Sequence, residues 1–174
     1  MPLNNMIQPN IITIDETLRL RAYDGNYEIA YEWYQDDVVR KFSEGITDPN
    51  KRLEMDWVAL KLNSLSKSGE LYFIEVYENS EFVPIGDVTL QENNLPIEIG
   101  VAKYRGIGIG TKVMKALVMR AKEIGIPNIY NVGCYEDNFA SQKMFENAGF
   151  ILVNHDKEKR RKVFEIDLKR CHDE

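Results

Sequence analysis

The chain has 174 residues, 44% hydrophobic and 29% charged, which is ordinary for one soluble globular domain with a sizeable core. A formal net charge of −6 argues against a general nucleic-acid binder, which is usually basic. No apolar run approaches the roughly 18 residues of a membrane span. The opening MPLNNMIQPN has neither the basic nor the apolar region of a signal peptide. The two cysteines, Cys134 and Cys171, suggest no disulfide framework and no metal site. A metal-free cytoplasmic protein is expected.

The first dozen residues read as a loose arm. Leu18, Leu20 and Ala22 then alternate with Arg19 and Arg21 as in a strand. Tyr27 to Tyr34 read as a short aromatic-rich helix. Pro49 opens a second helix, with Leu53, Trp57 and Leu60 on one face and Met55, Val58, Leu62 and Leu65 on another, so it should be well buried. Gly69 ends it. Three strands follow, at 71–78, 82–91 and 97–102, separated by the turns NSE and ENNLP. A helix from Ile109 to Ile124 carries Val113, Ala116, Leu117, Ala121 and Ile124 on one face, and Gly125 with Pro127 stops it. A strand at 128–135, a helix from Asn138 to Ala148 and a hairpin of FILVNH with VFEIDL complete the order. With no repeat or Pro/Gly-rich linker, residues 1–174 read as a single α+β domain, helices segregated onto a mixed sheet.

Chemistry concentrates in YRGIGIG, residues 104–110. It fails the pattern of a nucleoside-triphosphate loop, because Thr111 precedes Lys112 and Arg105 stands where that loop needs glycine. The spacing G-x-G-x-G also fits a dinucleotide fingerprint poorly. Two readings remain. One is a plain tight corner with glycines for positive φ; the other is a helix N-terminus whose unpaired N–H groups and dipole hold a pyrophosphate.

The segment Arg105-Gly106-Ile107-Gly108-Ile109-Gly110 has the form R/Q-x-x-G-x-G/A, and NFASQKMFENAGF from Asn138 has the form N-x-x-S/A-x-x-x-[Y/F/L]-E-[K/N]-x-G-F. Lying about 28 residues apart with a strand between, the two resemble the acetyl-CoA-binding core of the GNAT superfamily of N-acetyltransferases. The likeness is strong over residues 84–150. From Leu18 it looks like two subfamilies, one acetylating ribosomal-protein N-termini and one the 6′-amine of aminoglycosides.

The resemblance implies a largely antiparallel central sheet with a splayed parallel strand pair, residues 97–101 beside 128–134, and helices on both faces. Acetyl-CoA is the implied cosubstrate. Ile99 and Val101 would meet its pantetheine arm through main-chain groups, and an N–H near Val101 would polarise the thioester carbonyl. Arg105, Gly106, Ile107, Gly108, Ile109, Gly110 and Thr111 would wrap the pyrophosphate, with Asn138 and Ser141 beside the arm. The acceptor amine, with a pKa of about 10.4, must lose a proton. A strand carboxylate suits that task, Glu98 first, Asp87 second and Glu75 third. Many relatives place a tyrosine acid where this chain has Phe145, which cannot donate; Tyr104, Tyr135 or water would substitute. The link from Val101 to Arg105 is also about two residues shorter than in many relatives.

For the acceptor, Trp33, Tyr34, Asp37 and Asp87 are the candidates, aromatics and acids that suit a cationic amine of a small molecule or peptide. The run KEKRRK, 157–162, reads as an exposed turn. No nucleic-acid or membrane partner is expected; homodimers are a family habit. Phe145 also allows the alternative of a non-catalytic acyl-CoA-binding regulator.

Overall fold

In the computed structural model, which describes residues 3–169, chain order gives β1 (Ile11–Thr13), β2 (Leu18–Ala22), 3-10 turns at Tyr27–Ala30 and Trp33–Gln35, α1 (Asp37–Glu44) and α2 (Met55–Ser68). Then come β3 (Gly69–Glu78), β4 (Glu81–Gln91), β5 (Ile97–Ile99), α3 (Ile109–Ile124), β6 (Asn128–Tyr135), α4 (Phe139–Asn147), β7 (Ile151–Asp156) and β8 (Arg161–Asp167). Cys171 lies outside the described residues.

β1 to β5 form one antiparallel sheet in sequence order, and β6, β8 and β7 form a second. The two come together at a parallel bridge between Asn94 and Tyr130, but β5 and β6 share no ladder. The expected mixed sheet is thus an antiparallel pair of sheets. Between them lies a gap lined by Ile97 and Glu98 on one side and Asn131 and Gly133 on the other.

Strand alternation sends successive residues of β3 to opposite layers. Tyr72, Ile74 and Val76 join one core with Leu117 of α3 and Phe145 of α4; Leu71 and Phe73 join another with Trp33, Val58 and Leu62. Val88 and Leu90 of β4 face the α3 side. Asp87 and Thr89 therefore face the α1–α2 side, and the register pairs Asp87 with Glu98.

The first half departs from the sequence expectation. Residues 27–35 form two 3-10 turns in place of one helix. Residues 37–44, expected as loop, form α1, because the Asp36 side chain accepts from the N–H groups of Val38 and Val39 and Gly45 closes the helix at φ 67. α2 starts at Met55, not Pro49. Only its Val58 and Leu62 are buried, and Leu60 is 72% exposed, because the helix covers the sheet with one face. The expected loose arm is tied down from residue 3: β1 pairs with β2, Asn4 Nδ2 donates to Ile124 O at 3.1 Å, and Arg120 donates to Ile7 O at 3.0 Å.

Gly100 closes β5 against an aromatic wall. A Cβ there would lie 2.1 Å from Trp33 Cγ, and Trp33 is itself wedged edge-on against Phe73 at 5.9 Å. Gly100→Ala is therefore expected to lower unfolding free energy by about 1–3 kcal/mol, measured by urea titration; an unchanged midpoint would show that Trp33 can move aside.

Candidate active site

The glycines of the loop before α3 serve two purposes. Gly106 and Gly108 have φ of 74° and 90°, and no atom lies within 4 Å of where either Cβ would stand. Gly110 instead admits a neighbour: a Cβ there would meet Met144 Sδ of α4 at 2.5 Å. Lys112 N donates to Gly108 O, so the N–H groups of Ile109, Gly110 and Thr111 precede the first intrahelical bond and are left for an anion. α4 forms the facing wall, opened by Asn138, whose Oδ1 accepts from Ser141 N at 3.2 Å. Between the walls is a cleft of about 460 Å³.

Most expected donor residues meet in this cleft: Ile99, Arg105, Gly106, Gly108, Gly110, Thr111, Asn138 and Ser141 all line it, and so does Glu98, the expected base. Ile107, 65% exposed, and Ile109, packed on the core, do not. Val101 departs furthest from its expected role. Its N–H donates to Ile85 O at 3.1 Å, as that of Gly100 does at 2.8 Å, and its side chain packs between the two cores. This N–H is therefore already spent on β4. Arg105 is likewise engaged: Nε donates to Ile99 O at 2.8 Å, and Nη2 reaches Gly100 O at 3.1 Å and Asp36 at 3.0 Å. It braces the end of β5 and occupies the carbonyl expected for pantetheine.

A second cavity, about 190 Å³, adjoins the cleft, and Glu98, Asn138 and Ser141 line both. Tyr34 Oη donates to Asp87 Oδ2 at 3.1 Å. The Ser43 hydroxyl sits among Glu44 and Glu98, and Lys61 pairs with Glu44 while donating to Ser43 Oγ at 3.2 Å. Burial pushes the Asp87 carboxyl up to about 7 against the pull of Tyr34 and Lys61. Burial, then the facing Asp87, pushes Glu98 up to about 8. Glu98 is half-buried and lines both cavities, whereas Asp87 is buried. The pair therefore holds a proton near neutral pH.

Other candidates fall elsewhere. Trp33 is core, and Asp37 pairs with Arg40 with its side chain 77% exposed. Glu75 is held by Arg19 at 2.7 Å and Arg21 at 2.6 Å, and pairs with Pro84 farther along β3, away from Asp87 and Glu98. Tyr104 lines the cleft but gives its hydroxyl to Glu78 at 2.6 Å, which raises its pKa and removes it as an acid. Phe145 stacks on Phe164 and meets Phe150 edge-on. Two cavity cations were not expected: Lys61, and Arg161, which belongs to β8 and not to an exposed turn. Arg161 Nη1 donates to Gly133 O at 2.7 Å, and its guanidinium lies 3.6 Å over the Tyr135 ring. Among the described residues no cluster of three His, Cys, Asp or Glu could hold a metal ion, and no helix is long and apolar enough to cross a membrane.

A family model described as acetyltransferase (GNAT) family matches residues 27–150. The chain belongs to the GNAT acetyltransferase family. It is an acyltransferase by that membership, and its α+β fold is the family's. Solved structures share the fold at low identity. A GNAT acetyltransferase from Bacillus anthracis is 15% identical, with a TM-score of 0.72 over 91% of this chain and 99% of that one. An aminoglycoside acetyltransferase in complex with coenzyme A is 15% identical, with a TM-score of 0.69 over 90% and 99%. A ribosomal L7/L12 alpha-N-protein acetyltransferase in complex with coenzyme A is 16% identical, with a TM-score of 0.68 over 90% and 97%. No curated protein matches significantly in sequence.

The raised Glu98 carboxyl has a consequence for stability. Its folded value, about 8, lies above the ordinary 4.5, so the native state holds the proton more tightly and stability falls as pH rises between the two. Glu98→Gln removes this slope. Its melting temperature should gain on the parent's between about pH 5 and pH 9, by about 2–4 °C for each kcal/mol relieved. Parallel melting curves across that range would contradict the burial of the charge.

Proposed function

We propose that this chain transfers the acetyl group of acetyl-CoA directly to a primary amine of a small molecule or protein. The observation that carries this reading is Glu98, a carboxylate of raised proton affinity at the junction of the two cavities. The pyrophosphate is held by the free N–H groups that open α3, where Gly106 and Gly108 leave the approach clear, and the thioester reaches the junction. The amine enters from the second cavity. Glu98 takes one proton from the ammonium, the nitrogen attacks the thioester carbonyl, and as the C–N bond forms and the C–S bond breaks the nitrogen gives up its second proton to water. The thiolate departs and is protonated by water, since Phe145 has nothing to give; a thiol pKa of about 8.5 makes this departure tolerable.

The rival reading, a regulator that binds acyl-CoA without turnover, draws on Phe145. The acidic pair at the cavity junction favours the enzyme, because a binding cleft alone has no use for a buried and a half-buried carboxyl side by side that cost stability when ionised.

Calorimetry with acetyl-CoA followed by a thiol-release assay over aminoglycosides, polyamines, amino acids and N-terminal peptides separates the two: binding with no thiol released from any acceptor would leave the regulator. For the enzyme, kcat/KM should rise with pH through about 7 to 8 as the acidic pair ionises. Glu98→Gln is expected to lose roughly a hundredfold or more in kcat and to flatten that limb; an intact limb would remove Glu98 as base. Gly108→Val puts a β-branched residue at φ 90° and fills the open approach, so acetyl-CoA affinity should fall at least about tenfold. Unchanged affinity would count against the pyrophosphate cradle.

A further inference from the structure

The acceptor cavity contains a cation with no assigned task. Arg19, Arg21, Arg40, Arg105, Arg120 and Arg160 each pair with a carboxylate. Arg161 is half-buried and, among the described residues, pairs with none. A guanidinium stays charged at every working pH and carries five N–H donors in a fixed fork. In Arg161 the Gly133 carbonyl takes one, and the Tyr135 face fixes the plane.

The strand opposite makes room for this arrangement. Tyr135 and Arg161 are cross-strand partners, and the β6 register shifts between Asn131 and Cys134. Gly133 sits in that irregular stretch, where a Cβ would come within 3.3 Å of Arg161 Nη1. A side chain there would press on the guanidinium.

None of the other charged groups lining the cavity pairs with it directly. Lys61 is matched by Glu44. Asp87 is bonded to Tyr34, and the Asp87–Glu98 pair retains a proton near neutral pH. The cavity thus offers a carboxyl base at its junction with the cleft and an oriented, unmatched guanidinium along its wall. A polycation would find the charge of Arg161 repulsive and leave its donors unbonded.

Resting on the acetyl-transfer reading, we propose that the acceptor is an amine that also carries an oxyanion, a carboxylate or a phosphate, which Arg161 binds through its free N–H groups. A bidentate guanidinium–oxyanion contact supplies both orientation and discrimination. The anion anchors one end of the acceptor and leaves the amine at the Glu98 end.

The test measures acetyl transfer with matched pairs: L-amino acids against their carboxamides, amino-sugar phosphates against the parent amino sugars, and aminoglycosides as a polycationic arm. The anion-bearing member of at least one pair is expected to show roughly ten- to a hundredfold higher kcat/KM. Preference within the first set identifies a carboxylate, within the second a phosphate. Arg161→Gln should bring the ratio close to one, chiefly through KM, and Arg161→Lys should retain part of it because the charge survives without the fork. Acetyl-CoA affinity and melting temperature, measured on each variant, report folding independently; should Arg161→Gln fail to fold, the Arg161→Lys ratio decides, and an undiminished ratio there overturns the fork. Turnover confined to neutral or polycationic amines, or a preference for anions that persists in Arg161→Gln, overturns the inference and leaves the enzyme standing. Acetyl-CoA binding without turnover of any acceptor removes both.

Discussion

Asp87 and Glu98 face each other across one rung of the β4–β5 ladder, and much of the site is arranged around the cost of that pairing. Two neighbouring carboxyls, one buried and one half-buried, cannot both ionise freely, and Asp87 raises the proton affinity of Glu98. The α1–α2 layer answers with one polar group from each of its elements. Tyr34 comes from the 3-10 turn before α1, Ser43 from α1 and Lys61 from α2. Lys61 is in turn set by Glu44 and by the faces of Trp57 and Tyr34, at 5.4 and 5.7 Å. The layer is therefore positioned by electrostatics at one end and by the apolar contacts of Trp33, Val58 and Leu62 elsewhere.

The donor cleft follows a different logic, because its contribution is backbone. Its open side depends on two glycines in left-handed conformation, and its depth depends on Gly110 letting α3 approach Met144. Asp36 links the two halves. One oxygen caps α1 through Val38 at 2.9 Å, and the same carboxylate receives Arg105, which holds the end of β5. The acceptor layer and the strand beside the donor thus share a single brace. Glu98 lies on that strand, next to the Ile99 carbonyl that Arg105 holds.

The second half of the chain was legible because its signals are local. Helix α3 has a complete apolar face, a glycine entry and a Gly–Pro exit, and its observed bounds match the expectation. The expected donor residues of the two motifs also came together, apart from Ile107 and Ile109; Val101, upstream of them, did not join. Val101 was misplaced because its N–H is taken by a strand sixteen or so residues away, a pairing no local pattern reveals. The first half was harder. Two 3-10 turns and an eight-residue helix are too short to show a period, and α1 exists largely through its Asp36 cap. Leu60 looked like core because periodicity reports two apolar faces without saying that only one meets a sheet. Arg161 was hidden in a basic run; strand pairing with Tyr135, a long-range fact, separates it from its neighbours.

On the proposed acetyl-transfer reading, the charges around the second cavity would also bear on the proton that must leave the acceptor. An ammonium ordinarily holds its proton about two pH units more tightly than Glu98 does here. Burial in the cavity lowers the ammonium's affinity, because the charged form loses water, and so does a guanidinium nearby. Burial raises that of Glu98, and so does Asp87. The same enclosure thus moves donor and base toward one another, and transfer between groups of matched affinity needs little driving force. On this account Arg161 would act twice, through the anion it binds and through the charge it presents to the amine. Asp87 would be retained beside the base for the effect of its negative charge, without touching the acceptor.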